Sequence, residues 1–140
     1  MAIRKQEFYE GAALHQLARA GGITGIQFDP PFIVLNGSVF VDIKYSTRGR
    51  SPWGFTFMPD EQVVLNRRAS RSSLVIGLVC GADGVAAFSY DSYRTIAAPR
   101  RTSIHISCYR EHGKHYKVCG PDGVLDEKIA PSGWRHLLHR

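Results

Sequence analysis

Cysteine is scarce in this chain: three residues, Cys80, Cys108 and Cys119, among 140. So few and so unevenly placed, they exclude a secreted disulfide framework, and a reducing compartment, the cytoplasm, is the expectation. Long apolar runs are missing too. The longest, such as Leu74 to Cys80, fall far short of the roughly 20 residues of a membrane-spanning helix. Charges run through the first fifteen residues, so no targeting segment is read either. There is no G-x-S-x-G element, no phosphate-binding glycine loop and no dinucleotide fingerprint, which leaves triad hydrolase, NTPase and dehydrogenase chemistry without support. Internal repeats and low-complexity segments are absent.

Acidic residues are the minority charge. Twelve Asp and Glu stand against 18 Lys and Arg, giving a net charge of +6 and a pI near 9.5. A polyanion is attracted to such a surface. The length and the 44% hydrophobic content suit one core, hence a single domain over 1–140.

Arg4 to Ala20 carries apolar or small residues at Ala13, Leu14, Leu17, Ala18 and Ala20, a helical spacing that Gly21-Gly22 stops. Ile23 to Phe28 and Phe32 to Leu35 are short β-prone runs separated by Asp29-Pro30-Pro31, where two prolines force a bend. Asn36-Gly37 is a tight-turn signal, because both residues tolerate positive φ. It leads into a second hairpin strand, Ser38 to Ser46. Trp53 to Phe57 reads as a strand, Met58-Pro59-Asp60-Glu61 as a helix start, and Leu74 to Cys80 as a buried strand paired through a turn with Val85 to Tyr90. Ile104 to Tyr109 and His115 to Cys119 form a last hairpin, and Trp134 to His139 a short terminal helix. The order predicts an α/β fold: a mixed sheet flanked by helices, with a core over about 4–92 and an added C-terminal β-hairpin and tail over about 100–140.

Asp42 and Lys44 are the most informative residues. A period of two puts them on one face of the second hairpin strand with Phe40 and Ser46, while Val39, Val41, Ile43 and Tyr45 take the other. A strand so apolar should be central, and an ionised carboxylate there is costly unless it is paired or binds a metal. The plain alternative is a solvated face of an antiparallel sheet.

Asn36-Gly37 followed by Val-Phe-Val-Asp-Ile-Lys-Tyr-Ser resembles the hairpin and (D/E)-x-K strand of the PD-(D/E)XK nucleases, in layout nearest the archaeal Holliday-junction resolvases. The resemblance implies a restriction-endonuclease-like fold and a Mg²⁺- or Mn²⁺-dependent hydrolysis of phosphodiester bonds, with DNA as the expected substrate. It also implies two sites for two strands, hence a homodimer, and a role in repair, recombination or defence. Carried over residue by residue, Glu10 matches the helix glutamate, with Glu7 its competitor. Asp29 matches the first aspartate, although here it precedes the prolines rather than following one, and Asp42 and Lys44 match the pair. Glu10, Asp29 and Asp42 would then hold the metal, and Lys44 would act on the attacking water or the developing charge.

Arg48 and Arg50, in the loop after that strand, and Arg67, Arg68 and Arg71 on the second helix are expected to meet nucleic acid, with Arg100 and Arg101 extending the surface. Ser51 and Trp53 would add polar contact or stacking. Cys108, His112, His115 and Cys119 spell C-x3-H-x2-H-x3-C, four potential zinc ligands, for which a polar hairpin tip is the simpler account. The rivals to an enzyme are an inactive nuclease-fold domain that binds nucleic acid or protein, and an interaction module using an exposed edge strand of Trp53, Phe55 and Phe57.

Overall fold

The computed structural model describes residues 2–111, 113–131 and 133–138. In chain order the elements are α1 (Lys5–Ala20), β1 (Ile26–Asp29), β2 (Phe32–Leu35), β3 (Val39–Ser46), β4 (Trp53–Phe57), α2 (Pro59–Ala69), β5 (Ser73–Cys80), β6 (Gly84–Ser89), α3 (Tyr90–Ile96), β7 (Ile104–Tyr109), β8 (Lys117–Gly120), β9 (Gly123–Val124) and α4 (Arg135–Leu138). Among the described residues no helix is long and apolar enough to cross a membrane.

The turn between β2 and β3 forms as its dipeptide requires, with φ of 54° at Asn36 and 70° at Gly37. Asn36 does a second job. Its side chain accepts from the Thr24 amide at 2.7 Å and donates to the Gly22 carbonyl at 2.9 Å, tying the α1–β1 connection to the hairpin. Strand β5 then lies parallel to β3, which demands a long crossover, supplied here by β4 and α2. The resulting five-stranded mixed sheet has the order β1-β2-β3-β5-β6.

Strand β5 is buried from Leu74 to Cys80 because both faces of the sheet are covered. Ala13 and Leu17 of α1, one helical turn apart, cover one face together with Trp134, Leu137 and Leu138. The other face meets a second sheet, of order β4-β7-β8-β9, with α2 and α3 beside it.

Three sequence expectations change here. The C-terminal hairpin is no addition, because β7 pairs along β4 and completes the layer that buries the first sheet. Strand β4 does lie at the edge of the second sheet, but Trp53, Phe55 and Phe57 are not exposed: their alternation points them inward, at 2%, 3% and 0% exposure, so Trp53 offers no stacking surface. Helix α3 was not expected. Its cap, Ser89 Oγ accepting from the Ser92 amide at 3.1 Å, lies at the end of a run that reads as continuous strand.

Trp134 marks where the tail enters the core. Its indole lies against Gly77, where a Cβ would come within 2.8 Å of the ring, and Nε1 donates to Gln16 of α1 at 3.4 Å. A Trp134→Ala variant should lose about 3–5 kcal/mol of unfolding free energy, measured by urea titration, and Gly77→Ala about 1–3 kcal/mol as the ring is displaced. Parent-like midpoints for both would mean that the tail is not docked.

Candidate active site in a notch of the sheet

Strand β2 reaches β3 only as far as Val41, the partner of Ile33, whereas β5 accompanies β3 to its last residue, Ser46. From Ile43 onward β3 therefore has a strand on one side alone. The gap is a notch of about 780 Å³, walled by Arg4 just before α1, by Gln6 and Glu10 of α1, by Phe28, Pro30 and Pro31 around the β1–β2 bend, and by Glu61 of α2, with Asp42 to Tyr45 as its floor. Gln6 takes the place of the missing strand, its Nε2 donating to the Ile43 carbonyl at 3.1 Å.

Alternation along β3 sends Asp42 and Lys44 toward the second layer and Ile43 and Tyr45 toward α1. Lys44 Nζ rests 4.5 Å from the centre of the Phe57 ring and 2.5 Å from Glu61 Oε2. The other oxygen of Glu61 accepts from the Met58 amide at 3.2 Å, closing the first turn of α2. One carboxylate thus caps a helix and neutralises the lysine.

Asp42 is 9% exposed and, among the described residues, makes no hydrogen bond. The expectation of a solvated face fails at this residue. Burial raises its pKa from 3.8 to about 6, with Lys44 opposing the rise and Glu61 and Glu10 adding to it. Glu10 is half-buried at the rim. Its pKa is raised by burial and by Glu7, against the hydrogen bond from Gln6.

Of the four residues expected to converge, Glu10, Asp42 and Lys44 share the notch and Asp29 does not. Asp29 pairs with Phe32 in the β1–β2 register, and the β2–β3 register ends at Ile33 and Val41, so strand β2 stands between the strands of the two aspartates. Asp29 is exposed and faces Arg68 at 3.8 Å. Pro30 and Pro31 occupy the wall in its stead. Glu61, Gln6 and Arg4 were not singled out from sequence. Glu61 stood in a recognised helix start, but only the crossover reveals that this start faces Lys44.

The arginines divide. Arg48, Arg50, Arg67 and Arg71 are exposed and form no ion pair among the described residues. Arg68 lies 4.3 Å over the Phe40 ring, and Arg100 pairs with Asp122. None of these lines the notch.

The C-x3-H-x2-H-x3-C reading fails on register. Cys108 opposes Val118 and Cys119 opposes Ser107, so the two thiols leave opposite faces of the β7–β8 pair. Cys108 is buried in the core, and His112 lies outside the described residues.

Among the described residues no three His, Cys, Asp or Glu side chains are grouped closely enough to hold a metal ion by themselves. No family model, curated protein or solved structure matches the chain.

Desolvation of Asp42 has a thermodynamic signature. Its folded-state pKa lies above its unfolded value, so the cost is absent below about pH 4, where both states are protonated, and complete above about pH 7. Relative to the parent, Asp42→Asn should gain on the order of 3 kcal/mol between those limits, read from urea unfolding across pH. A pH-independent difference would show that the carboxylate is solvated.

Proposed function

We propose that the chain is a metal-dependent nuclease of the PD-(D/E)XK type, hydrolysing phosphodiester bonds, with DNA as the expected substrate. The observation that carries this reading is Asp42: a side chain only 9% exposed, with no hydrogen bond among the described residues, at the floor of an open notch that also holds Glu10, Glu61 and Lys44. Burial disfavours its charged form, Lys44 offsets part of that cost, and a bound cation would offset more. The arrangement of α1, the β2–β3 hairpin, a helical crossover and a parallel β5 also supports a restriction-endonuclease-like core.

The donor set fits Mg²⁺ or Mn²⁺. Asp42 offers a hard oxygen ligand and Glu10 a second carboxylate suited to contact through water, since Mg²⁺ usually keeps several waters and needs few protein ligands. Such an ion, when bound, acidifies water and polarises a phosphoryl oxygen. Lys44 would contribute positive charge beside the phosphate, once its ammonium is shared between Glu61 and the substrate. Arg4 adds a cation at the rim, and the exposed Arg48, Arg50, Arg67 and Arg71 supply the wider field that draws in a polyanion.

A second reading has its own observation. Asp29 faces Arg68 instead of the notch, and Lys44 is neutralised by Glu61, which suits a nuclease-fold domain that binds nucleic acid without cutting it.

Cleavage of labelled single-stranded, duplex and branched DNA in Mg²⁺ or Mn²⁺ decides between them. Asp42→Ala and Lys44→Ala should each lower the rate roughly 100-fold or more, while Asp29→Ala, outside the notch, stays within about threefold of the parent. No cutting, with salt-sensitive DNA binding intact, would replace the enzyme by the binding domain.

A further inference from the structure

Phe28 is 67% exposed, the most exposed large apolar side chain among those described, on an edge strand whose four residues are all exposed. Its register partner is Ile33, which is fully buried, so the ring stands where the covered face of the sheet runs out. The fold gains no core contact from it, and a bare aromatic on a sheet edge is a liability unless something uses it. The ring also lines the notch, together with Pro30, Pro31 and Tyr45 as further apolar surface and with Arg4 and Lys44 as cations.

The notch also holds Asp42, Glu10 and Glu61, the last paired with Lys44, so an anionic group would enter beside a cation held by those carboxylates, while a flat apolar group could lie against Phe28. We infer that Phe28 is a stacking platform for the base of an unpaired nucleotide whose phosphate enters the notch toward Arg4 and Lys44, and that the preferred nucleic acid is therefore single-stranded at the bound position. A base within a duplex has both faces covered by its neighbours, and only an unstacked base offers a face to a protein ring. Asp42, nine-tenths buried, sets a second requirement: the strand must reach into the notch rather than lie across its mouth. A flexible single strand does so more readily than a stiff duplex. The charge pattern disfavours an apolar peptide, since Asp42, Glu10, Lys44 and Arg4 would all be covered by a ligand that answers none of them.

This inference rests on the nucleic-acid reading above, and the test separates the two. Binding of a fluorescein-labelled 20-nucleotide single strand and of the matching duplex is measured by anisotropy in Ca²⁺, which occupies oxygen sites in place of Mg²⁺, for the parent, Phe28→Ala and Phe28→Tyr. Cleavage in Mn²⁺ is measured in parallel. The parent should bind the single strand roughly tenfold or more tighter than the duplex, and Phe28→Ala should weaken the single strand roughly 5- to 100-fold while changing the duplex less than about twofold. Phe28→Tyr keeps a ring and should restore most of the affinity. Because Phe28 packs into no core, Phe28→Ala should melt with the parent, so lost binding is not lost fold. Equal affinity of parent and Phe28→Ala for the single strand, with metal-dependent cleavage present, overturns the platform and leaves the nuclease standing. Neither binding nor cleavage by the parent overturns both.

Discussion

Strand β3 pairs with β5 along all eight of its residues but with β2 along only three. Most of what is chemically unusual in this chain follows from that mismatch. Had β2 run as far as β3, its backbone would have closed the edge at Ile43, and Gln6 would have had no carbonyl to meet. The two prolines prevent the extension, since neither can donate to a ladder, and they turn the chain away one residue before Phe32. Asp42 is consequently held on a rigid, centrally placed strand at the point where the sheet opens. A charged group can be both immobile and reachable only at such a boundary.

Electrostatics in the notch are unbalanced by design of the fold rather than by surface accident. Asp42, Glu10 and Glu61 meet Lys44 and Arg4, and the strongest pairing, Lys44 with Glu61, leaves Asp42 the least compensated of the carboxylates. Glu61 is committed twice, to the α2 amide and to the lysine, so the start of a helix and the charge state of the site are mechanically joined. Any ligand that draws Lys44 forward must also stretch the contact that helps to fix the first turn of α2.

The legible parts of this fold were those encoded locally. Asn36-Gly37 specified its turn, the Val39 to Ser46 alternation put Asp42 and Lys44 on one face, and Glu10 joined them through the family resemblance rather than through spacing. What failed depended on contacts distant in sequence. Asp29 lies on β1, with β2 between it and the strand of Asp42, a fact of topology that no dipeptide announces. Glu61 acts across the crossover. Trp53, Phe55 and Phe57 look like an exposed row until the first sheet packs over them, although β4 remains an edge strand. The cysteine and histidine spacing suggested ligands because linear spacing does not say which face of a hairpin each residue leaves.

Gly77 is the register partner of Ile43, the residue between Asp42 and Lys44, and the indole of Trp134 presses on Gly77 from the α1 side. The floor of the notch is thus buttressed from behind by a residue more than ninety positions further along the chain. During synthesis the β2–β3 hairpin can form early, yet the α1 side of the β3–β5 pair is not fully covered until Trp134 has emerged and docked. Packing at Trp134 thus reaches, through Gly77 and its partner Ile43, the strand that carries Asp42.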